Sequence, residues 1–79
     1  MMTPANYTEL RPGLVIGYRL PPSARPIRPE RLWHGRIEDV SRSWSSPLVG
    51  FCYVTVLDEG YDEMPELVFF DQIVEYSHE

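Results

Sequence analysis

The 79-residue sequence predicts a single all-β domain of five strands. Short runs rich in β-branched, aromatic and apolar residues recur along it: LVIGYRL at 14–20, LWHGRIEDV at 32–40, FCYVTVL at 51–57, LVFF at 67–70 and IVEY at 73–76. Such runs suit a pleated, half-buried surface better than a helix. All eight prolines fall outside the runs, where they punctuate rather than interrupt. Nowhere does an apolar repeat of 3.6 residues persist long enough for an amphipathic helix.

In chain order, residues 1–9 are polar, contain Pro4, and read as a flexible segment ahead of a domain at 10–77. Leu10-Arg11-Pro12-Gly13 signals a turn into the first strand, in which Gly17 implies a bulge or a close backbone approach. Residues 21–31, PPSARPIRPER, hold four prolines and three arginines, too many prolines for a helix or central strand. They read as a long irregular loop with polyproline character, pinned by Ile27. In the second strand Trp33, Gly35 and Ile37 alternate with His34, Arg36 and Glu38, and Val40 is out of phase with them. A bulge near Asp39 would absorb the mismatch. Residues 41–47, SRSWSSP, read as a serine-rich loop with Trp44 exposed at its centre.

The third strand sets the core. Strand side chains alternate between faces, so Cys52, Val54 and Val56 share one face and Phe51, Tyr53, Thr55 and Leu57 the other. The even set is smaller and wholly apolar, which predicts that it faces inward and leaves a semi-exposed aromatic face outside. The connection at 58–66, DEGYDEMPE, reads as an acidic hairpin, with Gly60 free to take a positive φ and Pro65 enforcing extended backbone before it. Phe70-Asp71-Gln72-Ile73 reads as one tight turn into the last strand.

A domain of this size hides only about 60% of its unfolded surface, and a stability on the order of 3–5 kcal/mol is expected. One cysteine makes no internal disulfide, and Cys52 within an apolar run reads as a reduced, buried thiol of a cytoplasmic protein. No signal peptide is expected, and no run approaches the ~18 apolar residues of a membrane span. The net charge of −5 is unevenly placed: +4 over residues 1–36 and −9 over 37–79. Every basic residue is arginine, the side chain suited to bidentate contacts with carboxylate or phosphate.

Catalytic chemistry finds little footing. His34, Cys52 and His78 lack the spacing of a zinc site. Asp58, Glu59, Asp62 and Glu63 share only acidity with a calcium loop. A nucleophile needs a neighbouring base, and Cys52 with His34 on a nearby strand is the one conceivable pair. The expectation is a non-enzyme without metal or cofactor.

Arg11-Pro12-Gly13, Gly35-Arg36-Ile37, the run Tyr53-Val54-Thr55-Val56-Leu57-Asp58, and Glu66-Leu67-Val68 leading into Asp71-Gln72-Ile73-Val74 form a pattern. The pattern, over residues 10–76, resembles the SH3-like small barrels, including their Tudor and KOW branches. The resemblance implies a five-stranded barrel with the Pro/Arg-rich loop between its first two strands, and a 3-10 turn before the last strand. A Tudor-like site would be an aromatic cage for a methylated cation, with Trp33, Tyr53, Tyr61 and Phe69 as candidates. KOW-like barrels bind RNA or ribosomal and polymerase proteins, but an acidic half opposes phosphate. The reading is therefore a non-catalytic protein-interaction module or small accessory subunit, with a nucleic-acid-associated barrel as the alternative. Expected contact residues are Trp44, Tyr53, Tyr61, Arg25, Arg28 and Arg31. A protein partner is expected, and a homodimer is one alternative, suggested by the outward apolar side chains of the third strand and by the opposite charges of the two halves.

Overall fold

A computed structural model describes residues 3–4, 6–21, 30–61 and 64–77. Six antiparallel strands form one sheet: β1 (Thr3–Pro4), β2 (Val15–Tyr18), β3 (Trp33–Ser43), β4 (Ser46–Val56), β5 (Pro65–Phe69) and β6 (Ile73–Ser77). Two 3-10 turns, Tyr7–Glu9 and Phe70–Gln72, complete the regular structure, and the described residues contain no α-helix. The all-β expectation holds, with one strand more than the five expected: Thr3–Pro4 pairs with Tyr76 and Glu75 of β6.

The strands lie in the order β1-β6-β2-β3-β4-β5. The sheet is open: β1 and β5 are its edges, and among the described residues no ladder of hydrogen bonds joins them. It is nonetheless strongly curled. The Tyr18 hydroxyl on β2 donates to Glu66 Oε1 on β5 at 2.7 Å. Three strand spacings in a flat sheet would separate these strands by roughly 14 Å, so the inner face must fold over itself to bring the two side chains together.

That inner face is the core. Ile16, Tyr18, Trp33, Ile37, Cys52, Val54, Val56 and Val68 are almost completely buried, with Leu10, Leu14, Phe70, Ile73 and Tyr76 around them. Among the described residues no polar or charged side chain is buried. The even face of β4 is the inward one, as its smaller apolar set requires.

Local irregularities fall where the pattern places them. The β3–β4 register shifts between Ile37 and Asp39, so Glu38 is the extra residue of a bulge. A second shift between Gly17 and Tyr18 interrupts β2–β6, and a Cβ on Gly17 would lie 2.9 Å from Glu75 Cγ. Bulge and close approach thus coincide at that glycine. The turn at Phe70–Gln72 is locked from its side chain: the Phe69 amide donates to Gln72 Oε1 at 2.8 Å, and Gln72 Nε2 donates to the Arg19 carbonyl at 2.9 Å.

The expected loop at 41–47 is instead the end of a long β3–β4 hairpin, in which only Trp44 and Ser45 form the turn. Ser43 Oγ accepts from the Ser45 amide at 3.3 Å and shares a 2.8 Å hydrogen bond with the Ser45 hydroxyl. Short hydroxyl side chains close the turn without apolar anchoring. At the N-terminus, Arg42 ties the first 3-10 turn to the sheet. Its guanidinium donates to the carbonyls of Tyr7 (2.7 Å) and Leu10 (2.6 Å) and lies 5.4 Å from the Phe70 ring. The expected loop at 21–31 falls largely at 22–29, with its pinning residue Ile27, outside the described residues.

Candidate functional site

With the even side chains of β4 committed to the core, its odd ones emerge on the outside beside their partners on β5. Phe51 is in register with Phe69 and Tyr53 with Leu67. The Phe51 ring meets Tyr53 edge-on at 5.4 Å and 88°, and Phe69 at 6.0 Å and 74°. Edge-to-face pairs at these distances are mutually attractive. Tyr53 and Phe69 remain half exposed, and Leu67 is 39% exposed. The outer face of β4 and β5 between residues 51 and 55 and between 65 and 69 contains no charged side chain. Its polar boundary is Thr55, whose hydroxyl donates to Glu38 Oε2 at 2.9 Å.

This face runs into a groove at the C-terminal end of β5. Leu20, Pro21, Leu48, Val49 and Phe69 supply its apolar walls, Arg19, Asp71 and Gln72 its polar rim, and its volume is about 650 Å³. Leu48 and Val49 are over half exposed and sit in the register shift between Arg42 and Ser43 of the β3–β4 pairing. Period-two alternation in Pro65–Phe69 sets Pro65, Leu67 and Phe69 apart from Glu66 and Val68, a signal already present in the sequence.

The expected contact residues do not form one constellation. Tyr53 belongs to the outer aromatic face. Trp44, 98% exposed, stands at the tip of the β3–β4 hairpin. Arg31 and Tyr61 gather elsewhere, on Trp33: the guanidinium lies 4.3 Å from the indole centroid, and the phenol ring meets it edge-on at 4.8 Å. Arg25 and Arg28 lie outside the described residues.

The four-residue aromatic cage is not assembled. Trp33 is wholly buried on the inner face with Tyr61 against it, whereas Tyr53 and Phe69 lie on the outer face. Strand alternation on β3 and β4 separates the pairs, and the cation over Trp33 is the chain's own Arg31.

The conceivable nucleophile pair is also apart. Cys52 lies opposite Val40 and Val68, while His34 is at the other end of β3, opposite Gly17. Burial pushes the Cys52 thiol up from 9.0 to about 11, against the opposing pull of Arg42, so it stays protonated at neutral pH. His34 is held at the start of the acidic connection. Its amide donates to Asp58 Oδ2 at 2.7 Å, its ring Nδ1 lies 3.4 Å from Asp58 Oδ1, and Arg31 reaches the same carboxylate at 4.0 Å. These contacts fasten the loop after β4 to the start of β3. Among the described residues no three His, Cys, Asp or Glu side chains gather as a metal site would require, and no helix is long and apolar enough to cross a membrane.

No protein-family model matches the chain, and no curated protein or solved structure is significantly similar to it.

Proposed function

We propose that this protein is a non-catalytic interaction module, or small accessory subunit, whose outer β4–β5 face receives a protein partner. The observation that carries the reading is the contiguous, uncharged set Phe51, Tyr53, Leu67 and Phe69 on a domain this small, of which Tyr53, Leu67 and Phe69 are exposed and Phe51 is half-buried. Contiguous exposed apolar surface of this kind marks interaction sites, and half-exposed Tyr and Phe are effective anchors because they bury large area for few rotors. The SH3-like reading of the fold is supported by the pairing of the last strand with β2 and by the 3-10 turn that precedes it.

The nucleic-acid reading has weaker support: from Ser43 to Ser77 the chain has seven carboxylates and no Lys or Arg, the wrong sign for phosphate. A double variant, Tyr53→Ser with Phe69→Ser, tests the proposal. Immobilised wild-type protein should retain a protein that the double variant, still β by circular dichroism, releases. Equal retention by both, or recovery of an oligonucleotide eluted steeply by salt, would overturn it.

A further inference from the structure

The groove at the end of β5 exists because β4 outruns its neighbour. The last β4–β5 pair is Phe51 with Phe69. Beyond it the chain leaves β5 through the Phe70–Gln72 turn, while Ser46 to Gly50 continue along β4. The Val56 amide donates to the Met64 carbonyl at 2.9 Å, and hydrogen-bonded pairs alternate along an antiparallel ladder. Val54 and Cys52 therefore exchange bonds with Glu66 and Val68, and Gly50 is in the same phase. Its N–H and C=O point to the side that β5 has left, where no β5 residue is paired with it and where it lines the groove. Arg19 and Asp71 stand together on the rim. Gln72 fixes their backbones side by side: the Arg19 amide donates to the Gln72 carbonyl at 2.9 Å, and Gln72 Nε2 donates back to the Arg19 carbonyl at 2.9 Å. Both residues are exposed, and among the described residues neither side chain forms an ion pair or hydrogen bond, with the other or with any third group. One cation and one anion thus share the mouth of an apolar groove.

We propose that this groove binds a small zwitterion, a dipeptide of two large apolar residues with free termini. Its carboxylate meets Arg19, whose planar guanidinium suits bidentate contact with that group. Its ammonium meets Asp71. Its central amide lies against Gly50, which offers both a donor and an acceptor. Its two side chains cover Leu20, Leu48, Val49 and Phe69. The volume of about 650 Å³ falls within the roughly 300–1,000 Å³ of small-molecule sites, which combine apolar walls with a few placed polar groups. A purely anionic or cationic ligand would gain one rim group and be repelled by the other, so the paired charges select a ligand that carries both. This inference goes beyond the interaction module and does not depend on it.

The test titrates the nitrogen-15-labelled full chain with four probes: leucyl-leucine, its N-acetyl form, its C-terminal amide, and glycyl-glycine. Leucyl-leucine should shift the Arg19, Gly50 and Asp71 amide signals saturably at millimolar concentration. Each of the other three should bind at least threefold more weakly, the scale of one exposed ion pair. Arg19→Gln should weaken leucyl-leucine at least threefold and leave the C-terminal amide, which has no carboxylate, within about twofold. Asp71→Asn should do the same for leucyl-leucine against its N-acetyl form. Both positions are exposed, so both variants should keep the β circular dichroism of wild type. No saturable shift at those three amides, shifts centred on Tyr53 and Leu67 instead, equal affinity for all four probes, or variants that bind leucyl-leucine as wild type does would each overturn the assignment. Neither variant touches the aromatic face, so retention of a protein partner should stay at the wild-type level in both, and the two ideas fail separately.

Discussion

Gly35 and Val54 form a steric pair whose energies should not add. Gly35 lies on β3 opposite Val56, and Val54 is its diagonal neighbour on β4. A Cβ built on Gly35 would lie 2.9 Å from Val54 Cγ2, 3.1 Å from Val54 Cβ and 3.2 Å from the Thr55 carbonyl oxygen. Gly35→Ala alone overpacks the inner face, at a cost of about 1–3 kcal/mol. Val54→Ala alone removes two buried methyls, at ~0.8 kcal/mol each, and leaves a cavity, for about 2–3 kcal/mol in all. In the double variant Cγ2 is gone and the new methyl enters part of the vacated space, while the contacts with Cβ and the Thr55 carbonyl persist. The double variant should therefore cost about 1–2 kcal/mol less than the sum of the singles, the scale of coupling between touching residues. Urea unfolding of the four proteins, followed by circular dichroism and run in sulfate to keep the singles folded, measures the cycle. Additivity within about 0.5 kcal/mol would refute the β3–β4 register and the inward phase of β4 together.

Other outcomes follow from single contacts. Gly50→Ala should be more damaging than Gly35→Ala, because its Cβ would run into the Ser41 carbonyl, a backbone atom that no rotamer change can clear; a melting temperature within a few degrees of wild type would contradict this. Trp44→Ser should leave unfolding free energy within about 0.5 kcal/mol, since the indole is almost fully exposed; a larger loss in denaturant titration would place it against the body. The Cys52 thiol, raised in the folded state from 9.0 to about 11, predicts alkaline destabilisation. Below pH 9 both states hold the proton and stability is complete; as pH rises to 11 only the unfolded thiol ionises, and stability falls by roughly 2–3 kcal/mol in total at about 1.4 kcal/mol per pH unit. Cys52→Val should lack that slope in urea titrations from pH 8 to 11, and equal slopes in both proteins would refute it.

Much of the fold was legible because period-two patterning is strong where one face is buried. Cys52, Val54 and Val56 identified the inner face of β4, and Val40 identified the bulge at Glu38 because its phase no longer matched Ile37. The tip of the β3–β4 hairpin was not legible. Ser41 and Arg42 pair with Phe51 and Gly50 through the backbone, and backbone pairing does not require apolar side chains. Nor was the order of the N-terminal turn, which depends on Arg42 reaching carbonyls more than thirty residues away in sequence. The contact residues were chosen largely by residue type; the structure places Tyr53 on the outer β4–β5 face and Arg31 and Tyr61 against Trp33. Alternation with Gly35 and Ile37 already turned Trp33 inward, and those two side chains follow it.

The two edges of the sheet are managed by different means. Exposed edges invite open-ended pairing, and proteins blunt them by shortness, proline or cover. At one edge β1 is only two residues long and ends in Pro4. At the other, β5 begins with Pro65, and the Phe69 amide is occupied by Gln72, so Leu67 alone offers both a donor and an acceptor. A neutral apolar edge of full length would be an aggregation hazard. This one is reduced to a short window around Leu67. Shortness and proline at both edges, with the bonded Phe69 amide at one of them, thus discourage open-ended pairing.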